Sequence, residues 1–96
     1  MRNQANQQQD EVAAERLRVL AHPQRLRILR FLAEDQGAPV HHIEDALGLS
    51  QSTTSTHLAQ LKRAGFVGST RQGKEIWYDI EDPCCLKVLQ CIRRRS

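Results

Sequence analysis

The segment from Val40 to Ile80 constrains the fold most, because its apolar spacing changes period once, at Gly65. Val40, Ile43 and Leu47 recur at i, i+3 and i+7, the stripe of a short helix over about 40–47. Gly48 follows where a helix favours a left-handed residue, and Ser50 can N-cap the next helix. Thr54, Leu58 and Leu61 form the inner stripe of that second helix, over about 51–64, and Gly65 stops it. Two helices joined by a short Gly-containing turn make a helix-turn-helix. Beyond Gly65 the period is 2. Phe66–Arg71 and Lys74–Ile80 read as strands around Gln72-Gly73. On the second strand Ile76, Tyr78 and Ile80 face one way, Trp77 and Asp79 the other. A hairpin directly after a helix-turn-helix is a winged helix.

The flanks read as helices. Residues 1–9 are polar and Gln-rich without periodicity, which predicts a flexible N-terminal arm. Asp10 can cap a first helix over about 10–21, with Ala13, Leu17, Leu20 and Ala21 as its stripe. Pro23 opens a second helix whose inner face is Leu26, Leu29, Leu32 and Ala33, with Ile28 beside it. Glu34-Asp35-Gln36-Gly37 ends that helix. Asp82-Pro83 opens a last helix over about 83–94, striped by Cys85, Val88, Leu89 and Ile92. The expected class is mainly α with a small β-hairpin, a winged helix-turn-helix in the order α-α-α-α-β-β-α. Ninety-six residues leave room for one domain, here 10–96 behind the 1–9 arm. No apolar run approaches the roughly 18 residues of a membrane span, and the first residues lack the apolar core of a secretory signal. The expectation is a cytoplasmic protein with no membrane partner.

The 14 basic and 11 acidic residues nearly balance, but unevenly along the chain. From Ala46 to Lys74 there are Lys62, Arg63, Arg71 and Lys74 and no acid. The 51–64 helix turns Ser52, Thr53, Thr56, Gln60 and Arg63 away from its apolar stripe, with Gln51, Ser55, His57 and Lys62 nearer the flanks. Amides and hydroxyls read base edges, and Lys and Arg hold phosphates. Gln51, Ser52, Thr53, Ser55, Thr56, His57, Gln60, Lys62, Arg63, Arg71 and Lys74 are therefore the DNA-binding candidates, the last two flanking the hairpin tip. For His57 two readings stand open, a phosphate contact and a half-buried packing histidine. No nucleophile–base constellation, Gly-rich phosphate loop or paired-carboxylate motif points to an enzyme. His41-His42 reads as a solvated pair. A winged helix used as a protein–protein module is the alternative of another class. The acid-free face and basic wing argue against it.

The segments HPQRLRILRFLAED, HHIEDALGLSQSTTSTHLAQLKRAGFV and STRQGKEIWYDI closely resemble the arsenic-repressor (ArsR/SmtB) family of bacterial winged-helix regulators, over about Leu17 to Ile92. The resemblance implies a homodimer through the first and last helices, bound to double-stranded operator DNA with an inverted repeat. It also implies a repressor that leaves DNA when an inducer binds. Two departures stand out. Thr56 occupies a position where the family often has Arg. Pro39, Val40 and His41 occupy the positions of the Cys-Val-Cys pair of many arsenic and cadmium sensors. The Asp and His that zinc sensors carry on the last helix are matched by Asp82 and Cys84, and the later ligands fall on Arg95 and beyond the chain end.

What remains is Cys84-Cys85 and Cys91, an odd number of thiols within eight residues and no disulfide framework. Some arsenic-responsive members carry three thiols on the last helix in this spacing. The resemblance implies a metal site of Cys84, Cys85 and Cys91, with trivalent arsenic or antimony as inducer and no catalytic cofactor. Asp82 as N-cap would place Cys84 and Cys85 in the first helical turn, where the helix dipole is expected to lower thiol pKa. Cys84 and Cys91 would lie about 10.5 Å apart along a regular helix. Either the helix start unwinds on binding or Cys91 comes from the partner chain. Two other readings stay open, thiols packing a dimer interface and a redox or persulfide sensor.

Overall fold

The computed structural model describes residues 3–93. In chain order it places α1 (Asn3–Leu20), α2 (Pro23–Asp35), β1 (Ala38–Pro39), α3 (Val40–Leu47), α4 (Gln51–Arg63), β2 (Val67–Gln72), β3 (Glu75–Ile80) and α5 (Cys84–Arg93). Local chemistry sets most of these boundaries. Pro23 stands first in α2, and the His22 Nδ1 before it accepts from the Gln24 N–H at 3.3 Å. Gly48 ends α3 with φ 66° and returns its N–H to the Glu44 carbonyl. A Cβ there would meet nothing, so the left-handed φ alone selects glycine. Ser50 then caps α4 as expected, its Oγ accepting from the Thr53 N–H at 3.2 Å. Arg27 holds the end of α3 from α2, donating to the Leu47 carbonyl at 3.1 Å.

The core lies where α2, α3, α4 and the sheet meet. Ile28, Leu29, Leu32, Ile43, Leu58, Leu61, Phe66 and Val67 are buried there, joined by Val19 and Leu20 from α1 and Cys85 and Leu89 from α5. Thr54 is buried too, its hydroxyl donating to the Ser50 carbonyl at 2.8 Å. The winged-helix architecture stands as expected, with an added strand. β1 pairs with β3 through Ala38↔Tyr78 and Pro39↔Trp77, giving a three-stranded antiparallel sheet in the order β1-β3-β2. Pro39 cannot donate to a ladder and is tolerated because β1 is an edge.

Several boundaries and faces differ from expectation. α1 begins at Asn3, so Asp10 lies inside it and caps nothing. The 3–9 part of the expected arm is helical because its Gln and Ala residues are sound helix formers and no Gly or Pro interrupts them. Residues 1 and 2 of that arm, and 94–96 of the expected domain, lie outside the described residues. The turn is Gly73-Lys74, one residue later than read, with Gly73 at φ 66°. Ala13, Leu17, Ala21 and Ala33 are exposed, and α1 buries Val19 and Leu20 instead. Val12, Leu17 and Ile92 leave large apolar side chains in solvent, Ile92 at 62% exposure. No helix among the described residues is long and apolar enough to cross a membrane.

Candidate DNA-binding face and cysteine cluster

α4 enters the core by one side only. Thr54, Leu58 and Leu61 line that side, which leaves Gln51, Ser52, Ser55, Thr56, Ala59, Lys62 and Arg63 exposed. No acid lies on α4. Thr53 is half-buried, and its Oγ1 accepts from the Ser50 hydroxyl at 2.9 Å, so the capping network already engages it. Lys62 Nζ donates to Ser69 Oγ at 2.7 Å, which ties the helix to the first strand of the wing. Arg71 and Lys74 are exposed at the hairpin end. Ala59, absent from the sequence-based set, falls near the middle of the exposed face at 100° per residue. Its small side chain lets the helix approach a groove and can meet a thymine methyl. Its helical angle is the signal that finds it, and its lack of a polar group is what hides it from a search for DNA-reading side chains.

Two sequence-based candidates move off this face. His57 is buried at 7% exposure, so the packing reading holds and the phosphate reading falls. Its ring meets the His22 ring edge-on at a centroid distance of 4.4 Å, and its Nδ1 accepts from Arg25 Nε at 3.1 Å. Gln60 is half-buried and lines a groove toward α1 with Val12, Arg16 and Val19. The buried sector of α4 is wider than its three apolar residues indicate, because α1 and α2 both pack on the same flank.

Burial, the nearby His22 and the Arg25 guanidinium hold the His57 pKa below its ordinary value. A depressed histidine binds fewer protons folded than unfolded, so stability rises with pH across this window. The contribution is complete above about pH 6.5 and is lost as pH falls toward the folded pKa. Denaturant unfolding of the wild type is therefore expected to show lower stability at about pH 5.5 than at about pH 7.5. His57→Gln should flatten that slope, and an unchanged slope would refute the assignment.

The cysteines are distributed unevenly around α5. Asp82 caps the helix as read, its Oδ1 accepting from the Cys84 N–H at 3.0 Å. Cys84 and Cys91 are exposed, whereas Cys85 is fully buried and donates its thiol to the Asp82 carbonyl at 3.3 Å. Burial first, then the Asp82 charge and Cys84, push the Cys85 thiol pKa up. The expected lowering by the helix dipole therefore fails at Cys85, where desolvation dominates. Among the described residues no group of three or more Cys, His, Asp or Glu side chains is gathered to hold a metal. The three thiols do not converge in this conformation. His41 is exposed and pairs with Glu75, Nδ1 to Oε2 at 3.3 Å.

A helix face of hydroxyls, amides and cations beside a basic-tipped hairpin is suited to a polyanionic duplex, and the architecture is that of winged helix-turn-helix DNA-binding domains. Residues 22–69 match the family model for bacterial regulatory proteins of the arsR family. The chain is 32% identical to the HTH-type transcriptional regulator YgaV of Escherichia coli over 86% of its own length and 84% of that protein's. It is 43% identical to the HTH-type transcriptional repressor SmtB of Mycobacterium tuberculosis over 75% of its length and 53% of SmtB's. The solution structure of the homodimeric winged helix-turn-helix domain of Mb0332 from Mycobacterium bovis superposes with a TM-score of 0.84. That match is 27% identical and covers 97% of this chain and 87% of that one. The chain belongs to the ArsR family of bacterial transcriptional regulators. The family and these relatives are regulators of transcription and not enzymes.

Proposed function

We propose that the protein is a homodimeric repressor that holds an inverted-repeat operator with two copies of α4 and releases it when trivalent arsenic or antimony takes up the thiols of α5. The DNA half of this reading is supported by the acid-free exposed face of α4. The dimer is supported by Val12 and Leu17 on α1 and Ile92 on α5, apolar side chains left in solvent on the two helices that the family pairs. The thiol half rests on one observation. Cys84 and Cys85 begin a helix whose first turn is capped by Asp82. An N-cap contributes about 1 kcal/mol, so losing the cap itself costs little, and exposing the buried Cys85 side chain adds to that. Opening releases Cys85 from the core toward Cys84, and soft thiolates select soft ions.

Reduced protein titrated anaerobically with arsenite is expected to lose three free thiols per ion bound to each protomer, together with its affinity for duplex DNA. Retention of all thiols would remove arsenic from the reading and leave the DNA-binding reading intact. The exposure of Cys84 and Cys91 favours a second reading, a redox or persulfide signal. Seven residues of helix separate these two thiols by about 10.5 Å, beyond the reach of a disulfide within a regular helix. Such a bond would need the helix start to unwind or a partner chain to supply one sulfur. Non-reducing electrophoresis after mild oxidation distinguishes the two routes.

A further inference from the structure

One side chain joins the thiol end of α5 to the DNA-binding helix. Arg16 projects from the C-terminal part of α1, 48 residues from Ala64 and 66 from Asp82. Its Nε donates to the Ala64 carbonyl at 3.1 Å, and Ala64 is the C-cap of α4. Its Nη2 donates to Asp82 Oδ2 at 2.8 Å. Its guanidinium carbon lies 4.5 Å from the centre of the Phe66 ring. Asp82 in turn uses its other oxygen for the Cys84 N–H and its carbonyl for the Cys85 thiol. The backbone closes the circuit, because the Phe66 carbonyl accepts from the Glu81 N–H at 2.8 Å and from the Asp82 N–H at 3.3 Å.

Asp82 therefore serves both sides, its Oδ1 and carbonyl holding the cysteine turn and its Oδ2 and N–H meeting Arg16 and the segment that leaves α4. A ligand that draws out Cys85, or straightens the turn that carries Cys84, must break the two Asp82 contacts to those residues. Asp82 then moves or rotates, and its hydrogen bond from Arg16 Nη2 is lost. Arg16 is a planar, fixed donor array that fits two acceptors at once, so losing one partner disturbs its hold on the other. That other partner is the end of the recognition helix.

We infer that Arg16 is the positioning residue that couples the state of the α5 thiols to the placement of α4 on DNA. The inference rests on the reading of those thiols as the sensing site, but the contact itself can be tested without thiol chemistry. Asp82→Ala removes the cap and the carboxylate together, and so cuts the Cys84 contact and the Arg16 contact by mutation. Arg16→Lys keeps the positive charge beside Asp82 but cannot hold two acceptors in a fixed plane. The probe is a duplex selected from a random pool by the wild-type protein, with affinity measured at one salt concentration and corrected for the folded fraction.

Asp82→Ala is expected to weaken binding about tenfold in the wild-type background, within the usual range of allosteric coupling. It should change binding by less than about twofold when Arg16→Lys is already present. Arsenite is expected to release DNA from the wild type and not from Arg16→Lys, although both lose the same number of thiols. A merely structural role predicts stability losses that are themselves non-additive because the two side chains touch, with no change in the corrected DNA affinity and with Arg16→Lys retaining the arsenite response. Additive effects, or an unimpaired response in Arg16→Lys, overturn the coupling. If arsenite releases DNA from neither protein but the two substitutions remain non-additive, the coupling stands and the arsenic reading falls. If Asp82→Ala leaves DNA affinity unchanged, the coupling is wrong whatever arsenite does.

Discussion

Ser52→Glu combined with Thr56→Glu is expected to weaken duplex binding by about a hundredfold or more while leaving the fold intact. Both positions are exposed on α4, which carries no acid of its own. A carboxylate at either point would face phosphates or the negative potential of a groove, where juxtaposed like charges cost several kcal/mol. The folding side of the prediction is close to neutral. Ser52 is the second residue of α4, and a negative charge in the first turn interacts favourably with the helix dipole. The two carboxylates stand at i and i+4, where their repulsion offsets that gain, so the variant should melt near the wild-type midpoint. Fluorescence anisotropy with a labelled duplex, beside a thermal melt, reads both quantities. Alanine at Lys62, Arg63, Arg71 or Lys74 gives the contrasting outcome, a smaller loss and a salt slope reduced by about one per phosphate contact removed. Retained binding in the doubly acidic variant would mean that α4 is not the helix in contact with DNA. Absence of duplex binding by the wild type itself would instead leave a protein partner for the winged helix.

The helix-turn-helix was legible because every signal for it is local. Gly48 and Ser50 mark the join by residue type alone, and the change of period after Gly65 announces the wing. What escaped the sequence depends on contacts between distant segments. β1 is two residues long, and only its pairing with Trp77 and Tyr78 makes Ala38–Pro39 a strand. His57 looks like a flank residue on a helical projection. It is buried because α2 brings Arg25 and His22 to that flank. The polar start of α1 reads as an arm because periodicity finds helices through the faces they bury, and residues 5–9 are all exposed. Cys85 does stand in the first turn of α5, but the helix dipole does not set its chemistry. The same apolar stripe that identified α5 seats that thiol in the core, and desolvation raises its pKa. Arg16 gave no signal, since a lone arginine inside a charged helix says nothing about acceptors 48 and 66 residues away.

Leu61→Ala is expected to lower the unfolding free energy by about 2–5 kcal/mol, the usual cost of a cavity left in a packed core. Leu61 has no exposed surface and belongs to the cluster with Ile28, Leu32, Ile43, Leu58 and Phe66. Its position allows little relaxation. Its own carbonyl accepts from the Phe66 N–H at 3.0 Å, where α4 hands over to the wing. Small domains are stable by only about 5–15 kcal/mol, so the loss is a large fraction of the total. At this chain length each kcal/mol moves the melting midpoint by about 4–8 °C, so the shift should be visible in any thermal scan. The measurement must hold protein concentration fixed, because the midpoint of the proposed dimer would depend on it. Below its own melting range the variant should still bind duplex DNA, since Leu61 lies on the side of α4 turned from the exposed hydroxyls. That separates it from the acidic pair, which keeps the fold and loses the duplex. A cost under about 1 kcal/mol would mean that the site collapses freely, contrary to the packed joint assigned here between α4 and the wing.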